Sequence, residues 1–554
     1  MESKPANETE KKVSAVDETN GDQTSEEQYG TVHNIGHLSR KLSWRQMQLM
    51  IIGGSIGTAL FVTIGAGLMS AGPGSLFLAF VIYSIFLACC NNCMAEMSTY
   101  MPISGGWIRM ASHWVDDALG FALGWNFFLY EATLIPYEIS ALNLVITFWS
   151  DNIPPAAICC ACIVAYGTHN VNLELILIFL VFGFTFVTMV GGNPQHDAYG
   201  FRYWKTPGAF AEYITTGSLG RFEGFLSGLW RAAFVIVGPE YCAMLAAEAK
   251  YPRKTLKKAF KTMYFRFALF FIGGALAVGI VIPYNDATLV AINSGEADGS
   301  GTGAASPYVI AMQNMGIGVL PHITNALLMT SIFSAGNSYV YCASRTLYSL
   351  ALDGHAPKVL RKLTKSGVPI YCFAITMIFP FLSLLILGSN ASQVVLWLAN
   401  LTTAAQIIDF IGMCLVYIFF HRAMQAQNFS RDTLPYKGYF QPYSAWAGLI
   451  FMIFVVCCYG YAIFLPGSFS VGDFFIYYLM VFVCIVLYLG WKFIKKTKVI
   501  PALEVDLIWE APAIDAYEVA LAEEEDDDNS DGGLWDEVRR WRRTKFGKKN
   551  GDHE

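Results

Sequence analysis

Charge is scarce over most of this chain: Asp, Glu, Lys and Arg together make up only 14% of the 554 residues, against 54% apolar side chains. The apolar residues lie in long blocks rather than in amphipathic periods, which excludes a soluble globular enzyme and predicts a polytopic membrane protein, since about 20 apolar residues span the hydrocarbon core. The net charge of −6 comes from tails such as "AEEEDDDNSD", and no basic surface for nucleic acid is implied. A cleavable signal peptide is also missing, because the first 46 residues, beginning "MESKPANETEKK", are polar and have no short apolar core. The first span must therefore act as its own insertion signal. Metal-ligand spacing is absent as well. Cys90/Cys93 and Cys159/Cys162 have CxxC spacing without a second CxxC or a partnering histidine, and most of the 13 cysteines read as small apolar packing residues. The nine histidines form no nucleophile–base or metal pattern, so the reading is of a non-enzyme without cofactor.

Apolar blocks between polar punctuation predict twelve spans, near 47–70, 76–98, 118–148, 154–170, 173–191, 222–247, 263–283, 318–350, 370–388, 393–420, 445–466 and 472–494. An even number puts both termini on one side, and Lys and Arg decide which. Positive residues gather before the first span (Arg40, Lys41, Arg45) and after the sixth (Lys250, Arg253, Lys254, Lys257, Lys258, Lys261). They recur after the eighth (Lys358, Arg361, Lys362, Lys365), the tenth (Arg422, Arg431, Lys437) and the twelfth (Lys492, Lys495, Lys496, Lys498). The opposite loops carry few beyond Arg202, Lys205 and Arg221, so both termini are expected in the cytoplasm. The layout is a cytoplasmic tail over 1–46, a transmembrane domain over 47–494 and a cytoplasmic C-terminal tail over 495–554. The N-terminal tail has the composition of a disordered segment. The aromatic and basic end "GGLWDEVRRWRRTKFGKK" either lies against anionic lipid or is simply solvated.

Two spans are built against helix formation. The first contains "IIGGSIGTALF", with three glycines, a serine and a threonine at mid-span, and the sixth contains "RAAFVIVGPEYCAML", with Gly238, Pro239 and an ionisable Glu240. Either alone also reads as a packing or kink motif. Spans one and six, however, open two five-span halves, and interruptions at matching positions of two halves point to a transporter's central site. A break exposes N–H groups with a positive dipole end, which suit a carboxylate, and carbonyls with a negative end, which suit an ammonium. A zwitterionic amino acid matches both.

From about Arg40 to Glu518 the chain resembles the fungal amino acid permeases of the amino acid–polyamine–organocation superfamily. The resemblance rests on "GGSIGTALF", "AEMSTYMPISGG", "LGWNFFLYEATLIPYEI", "TMVGGNPQHDAYGFRYWKTPGAF", "GPEYCAMLAAEAKYPRKTL", "NSYVYCASRTLYSLALDGHAPK" and "RDTLPYKGYFQPYSAW", in that order. It implies an all-α membrane protein of about twelve helices, a five-plus-five inverted repeat of LeuT-like fold with two extra helices, and proton-driven import of amino acids across the plasma membrane. By the same resemblance Ser55, Gly57 and Thr58 would receive the substrate carboxylate, Phe234 would close over the substrate, and Gly238 would lie in the carbonyl-exposing break. Glu240 and Glu138 match acidic positions tied to substrate or proton handling, in keeping with the cost of a carboxylate inside a membrane. Tail lysines would offer sites for a ubiquitin ligase or its adaptor.

The chain departs from that family in three places. Ala59 stands where the family usually has glycine. The link "VNLEL" between spans four and five is short and lacks a lysine found in relatives. Arg231 occupies a usually uncharged position. It either reads a side-chain acid of the substrate or pairs with another buried acid, and Asp409 is likewise either a further site residue or a member of a structural ion pair. Several stretches look most like the dicarboxylic amino acid permeases. The alternative function is sensing of amino acids with little transport, as in some relatives, or a transport-impaired variant because of the shortened link between spans four and five.

Overall fold

The computed structural model describes residues 40, 42–150, 152–166, 174–294, 306–364, 367–388 and 391–530. The N-terminal tail, the short link at 167–173 and the basic C-terminal segment lie outside the described residues. Among the described residues the architecture is all-helical, with one isolated parallel bridge between Leu42 and Ala249 in place of any strand. Seven helical stretches are long and apolar enough to cross a membrane: Ala59–Tyr100, Asp117–Ile146, Gly217–Glu248, Pro252–Val281, Ile370–Leu387, Val394–Ala426 and Val471–Lys495. Three apolar helices are shorter, at Pro155–Ala165, Leu175–Met189 and Tyr443–Cys458. The protein is thus a multi-pass membrane protein.

The chain enters through α1 (Trp44–Ser55), whose start is fixed by a capping box between Ser43 and Gln46. After an interruption it continues as a π-helical turn, Ala59–Thr63, and then α2 (Ile64–Tyr100). Within α2 the first and second expected spans meet at a corner at Gly72, where φ is +74°. A short amphipathic helix, α3 (Gly106–Trp114), leads into α4 (Asp117–Ile146), which Asp116 caps through the Ala118 N–H. There follow α5 (Pro155–Ala165), α6 (Glu174–Met189), α7 (Gly217–Val235) and α8 (Pro239–Met244). The next pair, α9 (Pro252–Arg266) and α10 (Gly273–Val281), is joined by a π-helical turn and followed by the short α11 (Ala287–Ser294) and α12 (Pro307–Asn314). Beyond lie α13 (Leu320–Leu352), α14 (Ile370–Thr376), α15 (Ala391–Ala426), α16 (Tyr443–Cys458) and α17 (Val471–Lys495). The fourth expected span is shorter than anticipated: α5 ends at Ala165, and Tyr166 stacks on Phe333 with ring centroids 5.0 Å apart.

At the centre stands α4, packed against α13, α15 and α17, while α2 packs against α7. Most of α4 is buried, including Asn126, Glu131 and Glu138. By contrast α17 exposes Phe475, Phe482, Ile485, Val486, Phe493 and Ile494, an apolar face suited to lipid. Past α17 the chain folds onto α3 and α15, where Ile500 donates its N–H to Val115 and Gln427 donates to the carbonyls of Ala502 and Val505. Residues 510–530 belong to a second compact unit, in which α18 (Ala511–Ser530) carries the acidic run in its last turns.

One ion pair ties the end of α2 to a loop more than three hundred residues away in sequence. Glu96 is fully buried and takes both arms of Arg431, at 2.8 and 2.9 Å. It also accepts from the Tyr417 hydroxyl at 3.0 Å and the Gly438 N–H at 2.8 Å. Its hydrogen bonds to the Glu96 carboxylate hold the Arg431 guanidinium above its ordinary pKa. A carboxylate removed from water and satisfied by four donors becomes a liability as soon as the cation is lost. Arg431→Met should therefore cost about 3 kcal/mol, read as a lower thermal unfolding midpoint in detergent, and adding Glu96→Gln should recover part of that loss. An unchanged midpoint in Arg431→Met would contradict this role.

Candidate substrate site at two helix breaks

The first break follows from local chemistry. The α1 helix stops at Ser55, Ile56 takes an extended conformation (φ −124°, ψ 88°), and the helix restarts at Thr58. The backbone groups thus freed must find partners, because a buried polar group without one is costly. Two hydroxyls of α13 serve the first half-helix, with Ser331 donating to the Ile56 carbonyl at 2.9 Å and Tyr339 to the Gly54 carbonyl at 3.3 Å. Ser55 turns its hydroxyl back onto Ile51 at 2.6 Å.

The second half-helix is served by a carboxylate. Thr58 donates its N–H to both oxygens of Glu138, at 3.4 Å each, and its hydroxyl donates to Glu138 Oε2. The positive end of the half-helix favours such an anion. A Cβ on Gly57 would fall on Glu138 Oε1 and lie 2.9 Å from Ala335 Cβ, so only glycine lets the carboxylate approach the backbone. The group at the break is therefore the protein's own.

The second break separates α7 from α8. Val235 ends α7, Ile236 is extended, and Gly238 adopts φ +148°, a conformation only glycine takes without strain. Gln406 of α15 caps the open end of α7 by donating to the Ala233 carbonyl at 2.8 Å. Glu240 reaches back to the Gly238 N–H at 3.1 Å, and its other oxygen is buried with no hydrogen-bond partner.

The two breaks touch. A Cβ at Gly238 would lie 3.6 Å from Ser55 Oγ, and one at Gly54 would lie 3.2 Å from the Tyr241 ring. Phe234 sits one helical turn before Gly238 and meets Tyr137 edge to face, with centroids 5.2 Å apart. Tyr137 is in turn hydrogen-bonded to Thr63 at 2.8 Å. Ser55, Gly57, Thr58, Glu138, Phe234, Gly238 and Glu240 thus share one buried region.

Arg231 and Asp409 do not join it as ion-pair members. Among the described residues neither forms a salt bridge: Asp409 accepts instead from the Asn126 amide at 3.0 Å, and Arg231 lines a separate cavity. The reading of either as half of a structural ion pair is corrected accordingly. Residue Glu131, which the sequence reading passed over, is fully buried with neither oxygen hydrogen-bonded. Its signal was present, since it lies seven residues before Glu138 and hence on the same helix face.

Comparison with known proteins agrees with this architecture. The family model for amino acid permeases matches residues 46–502. A general amino acid permease of Saccharomyces cerevisiae is 44% identical over 477 residues, covering 82% of this chain and 79% of that protein. A proline-specific permease of Emericella nidulans is 35% identical over 484 residues, covering 84% and 87%. The dicarboxylic amino acid permease of Saccharomyces cerevisiae is 34% identical over 488 residues, covering 85% and 79%. Among solved structures, a manganese transporter of Eremococcus coleocola superposes with a TM-score of 0.50 at 13% identity, covering 87% of this chain and 99% of that one, a likeness of fold alone. On this evidence, the chain belongs to the amino acid permease family of membrane transporters.

Proposed function

We propose that this protein is a secondary active transporter that imports L-amino acids across the plasma membrane by proton symport and alternating access. The reading includes twelve spans in two inverted five-helix halves with two further helices, both termini in the cytoplasm, and no cofactor beyond the proton gradient. Turnover through a ubiquitin ligase or adaptor at the tails belongs to the same reading. The observation that carries it is the seat of Glu138 on the Thr58 N–H and hydroxyl, beside the second break.

The mechanism follows from competition between two carboxylates. The substrate carboxylate seeks the N–H groups of the second half-helix, where Glu138 now sits. A proton from the outer solution converts Glu138 from an anionic acceptor into a neutral group, which weakens its hold on Thr58 and frees the helix end. Substrate and proton then enter together, because each makes room for the other. The substrate ammonium faces the carbonyl ends of α1 and α7 and the unpaired oxygen of Glu240. Glu131 and Asp409, buried nearby with unpartnered oxygens, are candidates for passing the proton onward. Phe234 and Tyr137 close the site from one side.

Uptake of radiolabelled L-amino acids by permease-deficient fungal cells tests the reading. Uptake should rise as the outer pH falls. Glu138→Gln, which resembles the protonated form at every pH, should abolish that pH dependence and lower the maximal rate about tenfold, the worth of a charged hydrogen bond. No uptake by wild type at the cell surface, or an unchanged pH profile in Glu138→Gln, would overturn the proposal. Gly57→Ala should abolish uptake, whereas Ala59→Gly, at a half-buried position, should retain it.

A further inference from the structure

A cavity of about 350 Å³ lies apart from the breaks. Its walls come from the segment before α7 (Tyr213, Ile214), from α7, from Asn400 in α15, from the turn after α16 and from the start of α17, and none of the residues at the two breaks lines it. In size it falls at the lower end of small-molecule sites, roughly 300–1,000 Å³.

The charge in this cavity is unspent. Arg231 lines it, lies within a membrane-spanning stretch, and has neither an ion-pair nor a hydrogen-bond partner among the described residues. A cation at such a position is expensive unless it faces water and awaits an anion. Trp230 and Tyr461 line the same cavity, although the indole N–H of one and the hydroxyl of the other are shut off from its open space. Asn400 accepts from the Tyr459 hydroxyl at 3.0 Å and is also hydrogen-bonded to Tyr477, so its side chain is engaged within the cavity wall. The guanidinium fork of Arg231 is the side chain that fits a carboxylate best. One acid, Asp473, also lines the cavity without bridging to Arg231. An anionic seat and a cationic seat thus face one space.

Along α7 the next turn after Arg231 brings Phe234, whose ring meets Tyr137, the neighbour of Glu138. Neither ring lines the cavity. We infer that this cavity is a second amino acid site, in which Arg231 takes the carboxylate and Asp473 the ammonium of a ligand, one turn of α7 before Phe234 and the break that follows it. Its use as a holding place for incoming substrate rests on the transport reading above. Binding there does not.

Arginine-directed labelling separates the two. The purified full-length protein in detergent is treated with phenylglyoxal, and modification of Arg231 is followed by mass spectrometry. L-leucine, L-glutamate and L-proline should each slow labelling of Arg231 about tenfold at saturation, as a charge-assisted contact implies. Leucinamide and prolinamide, which lack the carboxylate, should not. Asp473→Asn should weaken protection by leucine about threefold, the scale of an exposed ion pair, and leave protection by propionate unchanged. Protection should persist in Glu138→Gln, which marks the cavity as independent of the breaks. Equal labelling with and without the three amino acids, equal protection by the amides, or loss of protection in Glu138→Gln would each overturn the inference. Protection in a protein that shows no uptake would sink the transport reading and leave this site standing.

Discussion

Everything about this site depends on one constraint: a helix interrupted inside an apolar slab must find partners for the backbone groups it releases. At α1 the carbonyl side is met by hydroxyls of α13 and the N–H side by Glu138. At α7 the carbonyl side is met by Gln406 and the N–H side by Glu240. Both breaks thus solve the same problem in the same way, with neutral donors on the negative end and a carboxylate on the positive end. A pair of carboxylates held by backbone N–H groups and hydroxyls, with no cation bridged to either among the described residues, is a pair that another carboxylate, or a proton, can disturb.

The constraint also explains why the surrounding packing is so particular. Gly57 leaves room for Glu138 to reach the backbone, and Gly238 supplies a conformation no side chain tolerates. A methyl group at either place would push the carboxylate away or strain the turn. Farther out, the Glu96–Arg431 cluster pins the end of α2 to the segment before α16. It lies away from the breaks and contributes rigidity to the frame in which they sit.

Much of this was legible in the chain itself. Three glycines among "IIGGSIGTALF" and the Gly-Pro-Glu of "VGPEY" announce interruptions, because no membrane helix would carry them at mid-span without a use. Glu138 and Glu240 stand out as acids in apolar runs. The partner of each was not legible, since Thr58 and Glu138 are 80 residues apart and only tertiary packing joins them. The same limit hid the state of Arg231, which one sequence reading paired with a buried acid and which instead lines a cavity of its own. Glu131 was overlooked although its spacing from Glu138 places both on one face of α4. The division between the first and second spans was legible as well, since the chain turns at Gly72, inside the short gap left between the spans expected at 47–70 and 76–98.

The central claim is that an amino acid and a proton displace Glu138 from Thr58. Infrared difference spectroscopy on the purified protein, recorded on adding L-amino acid, tests it most directly. The account predicts a protonated-carboxyl band that appears with substrate in the wild type and is missing in Glu138→Gln. No carboxyl signal on substrate addition, or the same band in both proteins, would contradict it.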